Sequence, residues 1–189
     1  MNQLTIKNCT VVNEGNLSEK DVLIMDGRIE KIESSVEVEG DFIDAKGLYL
    51  LPGFIDDQVH FREPGLTERG NIQSESIAAV VGGTTSFMDM PNVIPPTLNL
   101  ELWNQKNKIA GKVSLANYSF YMGSSNTNIE DIKSIDPNQV CGLKVFMGSS
   151  TGNLLVDDQK ALENIFNYSP VLITTHCEDT PLITENEKK

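Results

Sequence analysis

Short apolar and β-branched runs, punctuated by turn residues, dominate the first fifty positions. Leu4-Thr5-Ile6-Lys7-Asn8-Cys9-Thr10-Val11-Val12 reads as a strand. Val22-Leu23-Ile24-Met25 and Arg28-Ile29-Glu30-Lys31-Ile32 flank Asp26-Gly27. That pair predicts a hairpin, because a type I′ turn needs positive φ at both central residues. Val36-Glu37-Val38-Glu39 also alternates, Asp44-Ala45-Lys46-Gly47 reads as a turn, and Leu48-Tyr49-Leu50-Leu51 runs into Pro52-Gly53. A small β module over residues 1–51 is the expectation.

Beyond Pro52 the pattern changes. Apolar strand-like runs recur at Gly53–Asp56, Thr84–Met88, Leu115–Phe120, Val140–Phe146 and Val171–Thr175. Their spacing, about 25 to 31 residues, suits one strand plus one crossover helix. Helical patterns fall between them. Ile72, Ser76, Ala79 and Val80 share a face that ends at Gly82-Gly83, and Leu98, Leu102, Ile109 and Ala110 share another, with Gly111 as the expected stop. Asn128 opens a short helix through Ile129 and Ile132, and Asp157 is placed to cap one carrying Leu162, Ile165 and Phe166. Alternation of this kind predicts an α/β fold with a parallel sheet and right-handed crossovers over residues 52–189. A closed (β/α)₈ barrel takes ~250 residues. Five units therefore make either part of a barrel or an open doubly wound sheet.

Composition narrows the classes. The 189 residues carry 15 Lys+Arg against 27 Asp+Glu, a formal charge of −12. Nucleic acid and anionic membrane surfaces are poor partners for such a chain. No apolar run approaches the roughly 20 residues that span a bilayer, and Met1–Lys7 lacks the pattern of a secretory signal. Cys9, Cys141 and Cys177 are odd in number and far apart, so a disulfide framework is not expected and the cytoplasm is the default compartment.

The densest polar segment is Asp56-Asp57-Gln58-Val59-His60-Phe61-Arg62-Glu63-Pro64-Gly65. If the strand continues through it, Asp56, Gln58 and His60 share one face. The chain's two histidines, His60 and His176, both fall at the ends of expected parallel strands, where α/β sites form. Imidazole is a good ligand for zinc; the neutral Gln58 amide is much poorer. Lys144 sits among apolar residues in the fourth strand of the repeat. It must find a partner, extend its ammonium to water, or lose its charge, and a neutral amine can add carbon dioxide to give a metal-binding carbamate. Asn92, after the second strand, is placed either to hydrogen-bond a substrate or to shape the turn before Pro95-Pro96. Gly148-Ser149-Ser150-Thr151-Gly152 has the composition of an anion-binding loop but lacks the P-loop lysine. Cys177 reads as a packed thiol.

Together these segments resemble the amidohydrolase superfamily, and dihydroorotase in particular. Pro52-Gly53-Phe54-Ile55-Asp56-Asp57-Gln58-Val59-His60-Phe61-Arg62-Glu63-Pro64-Gly65 is similar to that family's signature, and Met90-Pro91-Asn92, Leu143-Lys144-Val145-Phe146 and His176-Cys177-Glu178 also fit. The resemblance implies about five β/α units of a (β/α)₈ barrel, preceded by part of a composite small sandwich. It implies one or two zinc ions and the interconversion of N-carbamoyl-L-aspartate and dihydroorotate in pyrimidine biosynthesis. By position, His60 and His176 become metal ligands, Lys144 a bridging carbamate, and Arg62 and Asn92 the holders of the substrate carboxylate. Gln58 stands where the family has another strand-one histidine. The family's strand-six histidine and its catalytic aspartate from strand eight fall outside the chain, so no catalytic proton shuttle is expected within it. The expectation is an incomplete N-terminal portion of a metal-dependent hydrolase, inactive alone, which needs its remaining half or forms a homo-oligomer. An allantoinase- or dihydropyrimidinase-type hydrolase, and a non-catalytic scaffold subunit favoured by Gln58, stand as alternatives.

Overall fold

A computed structural model describes residues 3–148 and 152–189. The chain forms two compact units, Met1–Gly53 and Phe54–Lys189.

The first unit is a single sheet. Its strands are β1 (Gln3–Asn13), β2 (Asn16–Met25), β3 (Arg28–Glu33), β4 (Asp41–Asp44) and β5 (Tyr49–Leu50). The order is β3-β2-β1-β4, and β5 also pairs with β1; β1, β2 and β3 are antiparallel neighbours, whereas β4 and β5 run parallel to β1. At the hairpin, Asp26 and Gly27 have φ of 47° and 78°, the two positive values that its turn requires. Cys9, Val22 and Ala45 are buried together, with Ile6, Val11, Ile24 and Leu50 packed around them.

Val36–Glu39 forms no strand, contrary to its alternating pattern, and Asp41–Asp44 pairs with β1 instead. The reason lies in Asp21. Its buried carboxylate accepts from the Val36 and Asn8 amides, each at 2.9 Å, and pairs with the Lys7 ammonium. Lys7 Nζ donates in turn to the Val36 carbonyl at 2.9 Å. Both backbone groups of Val36 are thus taken by side chains, and no ladder can pass through it.

In the second unit the elements are β6 (Phe54–Val59), α1 (Ile72–Val81), β7 (Thr84–Asp89), α2 (Leu100–Val113), β8 (Asn117–Phe120), β9 (Met122–Gly123), α3 (Ile129–Lys133), β10 (Leu143–Phe146), α4 (Gln159–Tyr168), β11 (Ile173–His176) and α5 (Thr180–Asn186). Two three-stranded parallel sheets result, β6-β7-β8 and β9-β10-β11. Tyr121 alone separates β8 from β9. Its amide bonds the Asp89 carbonyl at 3.1 Å, and the next amide, of Met122, bonds Gly142 at 3.0 Å, so one run of chain changes partners within a residue. Strands follow one another in sequence order. The reversal that defines a doubly wound sheet is absent from these described strands.

Asn71, Asn99, Asp158 and Asp179 cap α1, α2, α4 and α5 through their side chains, each cap contributing about 1 kcal/mol. Two expectations are corrected. The cap of α4 is Asp158; Asp157 instead accepts from Asn126 Nδ2 at 2.8 Å. Helix α2 runs through Gly111 to Val113, with Ser114 as its C-cap, because that glycine answers packing: a Cβ there would sit 3.0 Å from the Tyr118 hydroxyl. Between strands and helices, Phe61, Phe87, Trp103, Phe120, Ile132, Val145 and Ile165 are among the buried residues of one continuous apolar core. No helix among the described residues is long and apolar enough to cross a membrane.

Asp21 yields a test of the first unit. Its hydrogen bonds, led by that from Lys7, hold its carboxyl at about 2, against an ordinary value of 3.8. A depressed carboxylate stabilises the fold above its unfolded value and loses that contribution as pH falls through the folded one. Urea denaturation between pH 5 and pH 2 is expected to lose about 2 kcal/mol from this residue, and Asp21→Asn is expected to remove that part of the pH dependence.

Candidate active site

The candidate residues follow β6 (His60, Arg62) and β7 (Asn92), lie within β10 (Lys144) and end β11 (His176). The β6 strand stops at Val59, and its register with β7 shifts between Asp56 and Val59. The simple alternation that would align Asp56, Gln58 and His60 is therefore broken. Gln58 is exposed; its amide bonds Asp56 Oδ1 at 3.1 Å, and its side chain makes no hydrogen bond among the described residues.

His60 is half-buried, with Nδ1 at 2.8 Å from Asn92 Oδ1. A carbonyl oxygen accepts, so the proton lies on Nδ1 and the lone pair on Nε2. Burial pushes this imidazole below its ordinary range; the Asn92 bond opposes that, while Arg62 and Lys144 add to it. Lys144, in β10, is among the charges that act on His60, which follows β6.

Arg62 follows in the left-handed region at φ 66°, a strained conformation for a side chain of this size. Its carbonyl closes a turn by accepting from Leu66 at 3.0 Å. Gly65 is required within that turn: at φ 86°, an added Cβ would lie 2.2 Å from the Ile94 carbonyl oxygen. The loops after β6 and β7 are further joined by Met90 N to Val59 O at 3.0 Å and Ile94 N to Pro64 O at 3.1 Å. Between them lies a cleft of about 550 Å³ whose lining includes Arg62, Asn92, Val93, Asn153 and Leu154.

Lys144 is only 2% exposed, which removes the possibility that its ammonium reaches freely into water. Nζ lies 5.2 Å from the Phe146 ring centroid, and neither a hydrogen bond nor a carboxylate meets it among the described residues. Desolvation pushes its pKa down, a shift that the influence of Cys177 partly offsets. In the neighbouring strand, the His176 ring meets Phe146 edge-on at 5.3 Å, and its buried Nδ1 has no hydrogen-bond partner among the described residues. Cys177 is exposed rather than packed as expected, since it lies just beyond the end of β11 at His176. Ser149–Thr151, the centre of the expected anion loop, lie outside the described residues.

Two imidazole nitrogens and a buried amine that meet no hydrogen-bond partner or counter-ion among the described residues would suit a cation, with the amine first converted to an anion. The His/Cys/Asp/Glu side chains of the described residues form no ready-made cluster of three that would hold one.

Sequence reasoning passed over Asp89 and Lys106. Both are fully buried, with Nζ 2.6 Å from Asp89 Oδ2, close in charge but poorly directed as a hydrogen bond. Burial pulls the Lys106 pKa down while the Asp89 charge opposes it. A signal existed: Lys106 shares the helical stripe of Leu102, Ile109 and Ala110.

No family model matches the chain. Individual relatives do. It is 34% identical over 193 residues to a dihydroorotase of Methanosarcina acetivorans, covering all of this chain and 41% of that protein. It is 32% identical over 192 residues to an allantoinase of Desulfitobacterium hafniense, covering 96% of this chain and 42% of that protein. Among solved structures, the L-hydantoinase (dihydropyrimidinase) from Arthrobacter aurescens superposes with a TM-score of 0.89 at 29% identity, over 98% of this chain and 43% of that one. The chain corresponds to the N-terminal part of an amidohydrolase-superfamily protein. Its particular resemblance is to dihydroorotase. It spans about two-fifths of the length of the curated relatives it matches.

The unpartnered amine leads to a prediction. In metal-free protein with carbon dioxide excluded, Lys144→Met is expected to raise stability by about 1–2 kcal/mol in urea denaturation, since an uncompensated buried polar group is replaced by an apolar chain of similar length.

Proposed function

We propose that the chain supplies the metal- and substrate-facing N-terminal part of a dihydroorotase-type cyclic amidohydrolase, which interconverts N-carbamoyl-L-aspartate and dihydroorotate in de novo pyrimidine biosynthesis. The observation that carries this reading is the cleft lined by both Arg62 and Asn92, with Asn92 bonded to His60. A guanidinium fork matches a carboxylate through two parallel bonds, and both proposed reactants carry a carboxylate close to the amide that breaks or forms.

On this reading the five β/α units begin a (β/α)₈ barrel, and residues 1–51 belong to a composite small sandwich, with residues 52–189 the barrel's first part. His60, His176 and Lys144 as its carbamate hold one or two zinc ions; Gln58 contributes at most a neutral amide oxygen. When bound, the metal polarises the amide carbonyl and lowers the pKa of water. Burial lowers the Lys144 pKa and so favours the neutral amine. Its nitrogen then adds to carbon dioxide, one proton leaves, and the resulting carbamate carries the negative charge that a cation compensates. Asn92 fixes the His60 tautomer, so that Nε2 presents its lone pair. Arg62 orients the substrate carboxylate. The proton shuttle is supplied from outside this chain, which is proposed to be inactive by itself and to act in a cytoplasmic protein as a homo-oligomer or with its remaining half. Its acidity disfavours nucleic acid and anionic membranes as partners.

Two other readings have specific support. The 32% identity to an allantoinase, not far below the 34% to a dihydroorotase, supports as the second reading a cyclic amide without a carboxylate. Gln58 at a ligand position favours a non-catalytic scaffold. The deciding assay uses the intact protein that carries this sequence, loaded with zinc, against dihydroorotate, allantoin and a 5-substituted hydantoin. Dihydroorotate is expected to be preferred, and Arg62→Met to lower kcat/KM on it by about 10²-fold or more while scarcely affecting allantoin. Preference for allantoin or hydantoin overturns the substrate assignment. Absence of both turnover and bound zinc by elemental analysis selects the scaffold.

A further inference from the structure

The buried pair Asp89–Lys106 has no part in the chemistry proposed above, yet it removes two full charges from water. Apolar residues of similar volume commonly pack such a position as well or better. What an apolar pair lacks is polar reach toward the backbone, and here that reach is specific. Asp89 Oδ1 accepts from the Phe61 amide at 3.0 Å, between His60 and Arg62. Lys106 Nζ donates to the Met90 carbonyl at 2.9 Å, two residues before Asn92. Asp89 ends β7 and Lys106 lies within α2, under the Phe120 ring at 4.9 Å, so both anchors are seated in rigid elements.

We propose that Asp89 and Lys106 are positioning residues: by holding the Phe61 amide and the Met90 carbonyl, their ion pair sets the spacing between the His60–Arg62 segment and Asn92 across the cleft. This rests on the reading of Arg62 and Asn92 as substrate-binding groups. Truncating one partner strands the other charge in the interior, so the single variants Asp89→Asn and Lys106→Met lose stability on any account. The informative variant is the double, Asp89→Asn with Lys106→Met. It removes both charges, keeps an amide oxygen for Phe61, and leaves the Met90 carbonyl without its donor.

The test compares the intact parent protein with the double variant by amide hydrogen exchange, urea denaturation, and steady-state kinetics on dihydroorotate. Expected are a denaturation midpoint near that of the parent, exchange at least ten-fold faster at Val93 and Ile94 with β8 and β10 unchanged, and KM raised ten-fold or more with kcat altered less than three-fold. A loss of held substrate contacts common to ground and transition states produces that split. Parent-like exchange at Val93 and Ile94 overturns the proposal. So does a general acceleration across the strands with kcat/KM falling only as the folded fraction falls, which is the mark of a purely structural pair. If the parent turns over none of the cyclic amides, the functional reading fails, and the local exchange pattern still decides whether the pair holds the two loops.

Discussion

A lysine ammonium taken out of water must meet an opposing charge or surrender its proton, and this chain answers that demand in two ways. Lys106 enters the layer between sheet and helices with a carboxylate beside it. Lys144 enters β10 with none among the described residues, and burial lowers its pKa. The first is an interior tie, closed on itself. The second is an open valence, and the neighbouring His176 Nδ1, likewise unpartnered, shares its condition. The contrast separates framework from site more sharply than burial alone, because buried polar groups are ordinarily satisfied.

The rest of the second unit serves to hold those groups in register. Parallel β10 and β11 set Phe146 opposite His176, and β7 aligns Asp89 with Val59 and Phe120. Cross-bonds between the loops after β6 and β7 turn two separate connections into one wall, and the left-handed Arg62 is tolerated because the turn around it is fixed at both ends. Side chains on loops acquire the precision of side chains on strands by this means.

Much of this was legible in the sequence. Apolar runs located most of the strands, the Asp26-Gly27 hairpin formed where its turn chemistry required, His60 and His176 stood out as polar residues at the ends of apolar runs, and Lys144 as a lysine within one. What escaped was decided by partners distant along the chain. Nothing local in Val36–Glu39 announces that Asp21 and Lys7 will claim its backbone. Gly111 carries a stop signal that packing against Tyr118 overrules. Asp157 and Asp158 are equivalent as caps until Asn126 Nδ2 claims the Asp157 carboxylate. Helix α5, capped by Asp179 with Pro181 in its first turn, was not read because the apolar pattern there is too short. Asp89 and Lys106 were passed over because a charged residue in an apolar stripe becomes informative only once its counterpart is known.

Gly123 carries a consequence for how such a chain can diversify. A Cβ there would lie 2.9 Å from Leu154, 3.2 Å from Pro91 and 3.3 Å from Leu98. Segments following two different strands thus converge on one missing methyl group, and any side chain would wedge them apart. Drift in sequence is consequently steered away from this hub. New selectivity has to arise at the outer lip, at the exposed Ile94 or Asn153, where residues can be exchanged without disturbing the hub beneath.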